Sequence, residues 1–113
     1  MAIFTDTAYK GRTWKISVQW VLDGSPVNIT GYTLKSDLKL DLGLPALVTL
    51  ASGSGITVTN AASGQFTMAL SRTQTLTLPV GDLYFDIAAL SPADEESTIL
   101  TGVLTVEDTI TKI

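Results

Sequence analysis

Between positions 14 and 20 every second residue is apolar: Trp14, Ile16, Val18 and Trp20 alternate with Lys15, Ser17 and Gln19. Successive side chains of a strand point to opposite faces, so this period of two predicts a β-strand with one face buried. The same pattern returns downstream, where Tyr32, Leu34, Ser36, Leu38 and Leu40 alternate with Thr33, Lys35, Asp37 and Lys39. Between the two lie Asp23-Gly24-Ser25-Pro26 and, after a short apolar link, Thr30-Gly31. Asp-Gly lets the backbone reach positive φ, Pro26 fixes the exit, and Thr30-Gly31 marks a second bend. Two half-buried strands joined by turns constrain the chain to an all-β design.

The rest of the sequence keeps that rhythm. Gly43 and Pro45 end the second strand, and residues 46–51 form a weaker apolar run. After the turn Ser52-Gly53-Ser54-Gly55, Ile56 and Val58 share one face, as do Phe66, Met68 and Leu70 beyond the turn at 60–64, which predicts a hairpin. Residues 71–78 are rich in Thr and have no apolar period, so they read as a crossover holding one helical turn. Leu83, Phe85, Ile87 and Ala89 mark a strand over 83–90, residues 91–97 an acidic exposed loop, and 98–107 a long closing strand. Gly102 inside that strand signals a bulge or a close approach. About seven strands at turn spacings near ten residues favour an immunoglobulin-like antiparallel β-sandwich.

A chain of 113 residues supports one such domain, here 1–113, with a patterned core over about 12–107 and short tails. The tails carry Ile3, Phe4, Tyr9, Ile110 and Ile113, more apolar character than solvated ends need, and these five are the candidate protein-interface residues. They are expected to pair along a sheet edge of the same domain or of a neighbouring subunit. Residues 1–10 have neither a basic nor an apolar leader segment, so no signal peptide and no membrane association are expected. Net charge is −4, and the seven Lys and Arg are scattered rather than clustered, which argues against nucleic acid as a partner.

Chemistry is sparse. Histidine and cysteine are absent, which removes the commonest general base, the commonest metal ligand and every thiolate site. Asp94-Glu95-Glu96 lies in a loop and lacks the spacing of a calcium loop or of a fixed carboxylate pair. No catalytic residue, no metal ligand and no cofactor are expected. Asp86 interrupts an apolar strand and is explained most simply by exposure. Trp14 and Trp20 share a face with Ile16 and Val18 and read as core, while Tyr84, after Leu78-Pro79-Val80-Gly81-Asp82-Leu83, fits a tyrosine corner.

Five segments together resemble a known family. They are residues 13–20, residues 23–34, Gly64-Gln65-Phe66-Thr67-Met68-Ala69-Leu70, residues 78–87, and Leu100-Thr101-Gly102-Val103-Leu104-Thr105-Val106. Covering most of 10–107, they resemble the immunoglobulin-like N-terminal domain of baseplate upper proteins and related small virion proteins of tailed bacteriophages. The resemblance implies a non-enzymatic building block of the virion, assembled in the host cytoplasm, that docks onto tail, baseplate, fibre or capsid proteins as a homo-oligomer or as symmetric copies. Capsid decoration is the alternative within that class. A carbohydrate-binding sandwich on a host-facing appendage is the alternative outside it, and it requires exposed aromatics, for which Trp14 and Trp20 are the candidates.

Overall fold

The computed structural model describes residues 4–111. The chain is all-β, and its strands are β1 (Phe4–Tyr9), β2 (Trp14–Gln19), β3 (Val21–Leu22), β4 (Ser25–Pro26), β5 (Thr33–Lys39), β6 (Val48–Ser52), β7 (Gly55–Asn60), β8 (Gln65–Leu70), β9 (Gly81–Leu90) and β10 (Glu96–Glu107). One helix, α1 (Arg72–Thr77), fills the crossover, and no helix among the described residues is long and apolar enough to cross a membrane. Eight strands form one sheet in the order β1-β10-β9-β5-β6-β7-β8-β2, and β3 with β4 makes a separate two-stranded ribbon.

That sheet folds on itself at its narrowest joint. Only Ala51↔Gly55 and Ser52↔Ile56 link β6 to β7, and Gly55 there has φ +94 and sits against the Leu50 side chain, where a Cβ would collide. The β1-β10-β9-β5-β6 half thereby faces the β7-β8-β2 half as a β-sandwich. Inward residues of both halves form a single core: Leu34, Leu38 and Leu50 from one, Ile56, Phe66, Met68 and Leu70 from the other, with Leu83, Phe85, Ile87, Leu104 and Val106. Trp14 reaches across the sandwich and meets Phe85 edge-on at 6.2 Å between ring centroids.

Most sequence expectations hold, with informative exceptions. Trp14 and Trp20 are 5% and 8% exposed, and β7 and β8 pair as a hairpin through Ile56↔Met68 and Val58↔Phe66. Val58 is nonetheless exposed, because the β7 register slips between Val58 and Asn60 as the strand leaves the sheet. Gly102 is a close approach: a Cβ there would come within 2.6 Å of the Phe85 ring and 2.8 Å of the Phe4 carbonyl oxygen. The bulge of β10 lies instead between Thr98 and Leu100. The crossover is a helix because Ser71 and Gln74 form a capping box, the Ser71 hydroxyl accepting from the Gln74 amide while the Gln74 side chain accepts from the Ser71 amide.

The core starts earlier than residue 12. Within the N-terminal tail, β1 pairs along β10 from Phe4↔Gly102 to Tyr9↔Glu107, within its own domain and in parallel rather than antiparallel sense. Its inner face carries Phe4, Asp6 and Ala8, and the carboxylate in the middle breaks the apolar alternation that would have announced a strand. Asp6 is held by two donors, the Thr7 amide at 2.9 Å and the Trp14 indole at 3.0 Å.

Candidate docking surface

Because Leu83, Phe85, Ile87 and Ala89 face the core, alternation turns Tyr84 and Asp86 outward. This corrects the tyrosine-corner expectation: Tyr84 is 44% exposed and its hydroxyl caps no backbone group among the described residues. Across the ladder Tyr84 stands opposite Lys39 of β5 and Val103 of β10, and Asp86 stands opposite Thr101. Carried two positions along the β5–β9 register, Asp37 faces Asp86, and Asp37 accepts from the Thr49 hydroxyl at 2.8 Å.

Beyond Lys39 the chain leaves the sheet as Leu40-Asp41-Leu42, which walls this outer face into an open groove of about 610 Å³. Its lining mixes the apolar side chains Tyr84 and Val103 with the charged Asp37, Lys39, Asp41 and Asp86. Like-signed carboxylates facing across strands repel one another. A donor-bearing group laid in the groove finds acceptors in Asp37 and Asp86 and apolar contact on Tyr84.

The groove opens toward one end of the sandwich, where apolar side chains collect. Leu42 is 82% exposed, and Leu40, Leu44 and Leu47 in the same loop also face solvent. The loop is nonetheless built: the Asp41 carboxylate accepts from the Leu42 amide at 2.7 Å, and the Leu47 amide donates to the Leu38 carbonyl at 2.8 Å. Leu40 was expected on the buried face of its strand. Pairing with β9 stops at Lys39↔Tyr84, which leaves Leu40 43% exposed. Val80, before β9, lies at the same end and is exposed.

Of the five tail residues proposed as interface, two reach this end. Tyr9 closes β1 and is half-exposed, and Ile110 is fully exposed just past β10. The Thr109 hydroxyl donates to the Lys10 carbonyl at 3.0 Å, which ties the two tails together. Phe4 lies elsewhere: it is half-buried and packs edge-on against Phe85 at 6.3 Å, so its apolar surface serves the core. Ile3 and Ile113 lie outside the described residues. The exposed leucines of 40–47 were the residues that sequence reasoning missed, though Leu-Asp-Leu-Gly-Leu-Pro carried a signal: alternation interrupted by Gly and Pro cannot continue in a ladder.

Beneath this end, α1 braces the β1–β2 turn. Thr75 is buried, its hydroxyl donating to the Arg12 carbonyl at 2.9 Å and accepting from the Gly11 amide at 3.1 Å, while Lys10 Nζ donates to the Leu78 carbonyl at 2.6 Å. The apolar end therefore rests on a fixed frame. The chain matches no protein-family model, and no curated protein is significantly similar to it.

Proposed function

We propose that this chain is a non-enzymatic structural protein of a tailed-bacteriophage virion, docking onto other virion proteins in the tail, baseplate or fibre-attachment region. The observation that carries the reading is the apolar end: Leu42, Leu44, Val80 and Ile110 stand in solvent at one end of a sandwich whose core is already closed. Contiguous exposed apolar surface on a soluble protein marks an interaction site. The resemblance of the strand and turn segments to small virion sandwiches supplies the setting, in which symmetric copies each present the same end. With no histidine and no cysteine, the chain lacks the commonest general base and the thiol nucleophile.

An antibody raised against the chain tests this on particles from the cell that carries the gene. Label at the tail or baseplate supports the reading, label over the head turns it to capsid decoration, and absence from purified particles overturns both. One observation favours a second reading, a glycan-binding module: Tyr84 offers an exposed ring beside the acceptors Asp37 and Asp86. Trp14 and Trp20 lend it nothing, being buried. Glycan-array binding that disappears with Tyr84→Ala would favour this second reading.

A further inference from the structure

The two edges of the folded sheet are finished differently. On β1 the backbone groups of Thr5, Thr7 and Tyr9 face away from β10, since the Lys10 amide donates to the Glu107 carbonyl and the ladder alternates from there. That edge is blunted: the Thr7 amide is taken by the Asp6 carboxylate and the Tyr9 carbonyl by the Arg12 amide. Edge β2 carries no such backbone cap among the described residues, and Lys15 is its one charged side chain. The Trp20 amide donates to the Gly64 carbonyl, so alternation directs the backbone of Ile16 and Val18 toward β8 and that of Lys15, Ser17 and Gln19 outward. No strand among the described residues lies on that side. Ile16 and Val18, the inner-face residues of β2, are also only partly covered.

We propose that the open edge of β2 binds the β2 edge of a second copy of this chain, antiparallel, about a two-fold axis through Ser17. That register alone pairs all three outward positions of β2 with one another. Ser17 meets Ser17, Lys15 meets the neutral Gln19 at both ends, and Ile16 meets Val18 on the inner face, so no lysine opposes a lysine. Each copy contributes outward donors and acceptors at three positions, and the pairing extends cover over Ile16 and Val18. This goes beyond the proposed function and stands whichever protein meets the apolar end.

The full chain tests it, because it contains no cysteine. Ser17→Cys places one thiol on the axis, at an opposed-pair Cα separation of about 5.5 Å that a disulfide spans. Under mild oxidation it is expected to cross-link to a dimer, while Thr5→Cys, exposed on β1, stays monomeric. Sedimentation of the wild type over a concentration series is expected to show a monomer–dimer equilibrium. Ser17→Pro, which removes a donor that β8 does not use, is expected to weaken that equilibrium by roughly tenfold or more through the two bonds lost at the axis. Should Ser17→Pro fail to fold, Ser17→Lys, which opposes two like charges across the axis, is expected to weaken it by about fivefold. A wild type that stays monomeric at hundreds of micromolar, cross-linking no faster than Thr5→Cys, or a dimer insensitive to the folded Ser17 variants would each overturn the proposal.

Discussion

The two ends of the sandwich are built on the same core and finished in opposite ways. At the end formed by residues 9–13, 39–47, 71–80 and 107–111, apolar side chains stand outward, and the frame beneath them is fixed by Thr75 and Lys10. At the other end, residues 20–32, 60–64 and 91–95 are turns, most of them bonded within or between themselves. Asn28 Oδ1 accepts from the Thr30 amide and hydroxyl, the Val27 amide donates to Trp20, the Ile29 amide donates to Ala61, and the Asn60 side chain caps the 3₁₀ turn Ala61–Ser63. Apolar exposure near this second end is more dispersed, over Val21 and Leu22 of the small ribbon and Val58 and Leu90 at strand ends. The difference teaches where folding is complete and where it is not: the turn-rich end has used its bonding capacity on itself, whereas the leucine end keeps apolar surface that folding alone leaves unburied.

Substitutions rank that contrast. Trp14 lies beneath the apolar end and Trp20 beneath the turn-rich end, where it meets Tyr32 edge-on at 6.1 Å. Each change to alanine is expected to cost about 3–5 kcal/mol in urea unfolding; a near-zero loss at either would mean that its end does not rest on the core. Thr75→Val keeps the shape but strands the Gly11 amide and the Arg12 carbonyl. A loss of roughly 1–3 kcal/mol is expected, and an unchanged unfolding midpoint would remove α1 as the brace of the apolar end. Asn28→Ala, at the exposed turn-rich end, is expected to cost about 0.5–1.5 kcal/mol, and no loss there would mean that those turns hold without it. Smallest of all, Leu42→Ser should stay within about 0.5 kcal/mol, since the side chain touches little; a larger loss would show that Leu42 is part of the core.

Much of this was legible in the sequence, for physical reasons. Alternation revealed β2, β5, β7, β8, β9 and β10 because one face of each is buried, and the Thr-rich stretch without an apolar period marked the crossover that α1 fills, though not the Ser71–Gln74 capping box. Where a strand departs from that economy, reading failed. Asp6 sits on the inner face of β1, so Phe4–Tyr9 looked like a tail; a carboxylate satisfied by Thr7 and Trp14 from two strands is invisible to a local pattern. Leu40 continued the period of β5 but outlasted its pairing, which depends on β9 more than forty residues later. The candidate docking surface was half legible: Tyr9 and Ile110 were marked by their excess of apolarity, while the groove at Tyr84 arises only when β5, β9 and β10 lie side by side.

The central claim is that the leucine end, rather than the turn-rich end, meets the partner. It is tested most directly by comparing incorporation into purified particles of two surface variants matched in chemistry, Leu42→Asp with Leu44→Asp at one end and Val21→Asp with Leu22→Asp at the other, alongside the wild type. All four side chains are exposed, so both variants should fold. The account predicts that the Leu42/Leu44 variant is lost from particles that retain the wild type and the Val21/Leu22 variant. Retention of the Leu42/Leu44 variant at the wild-type level would contradict it.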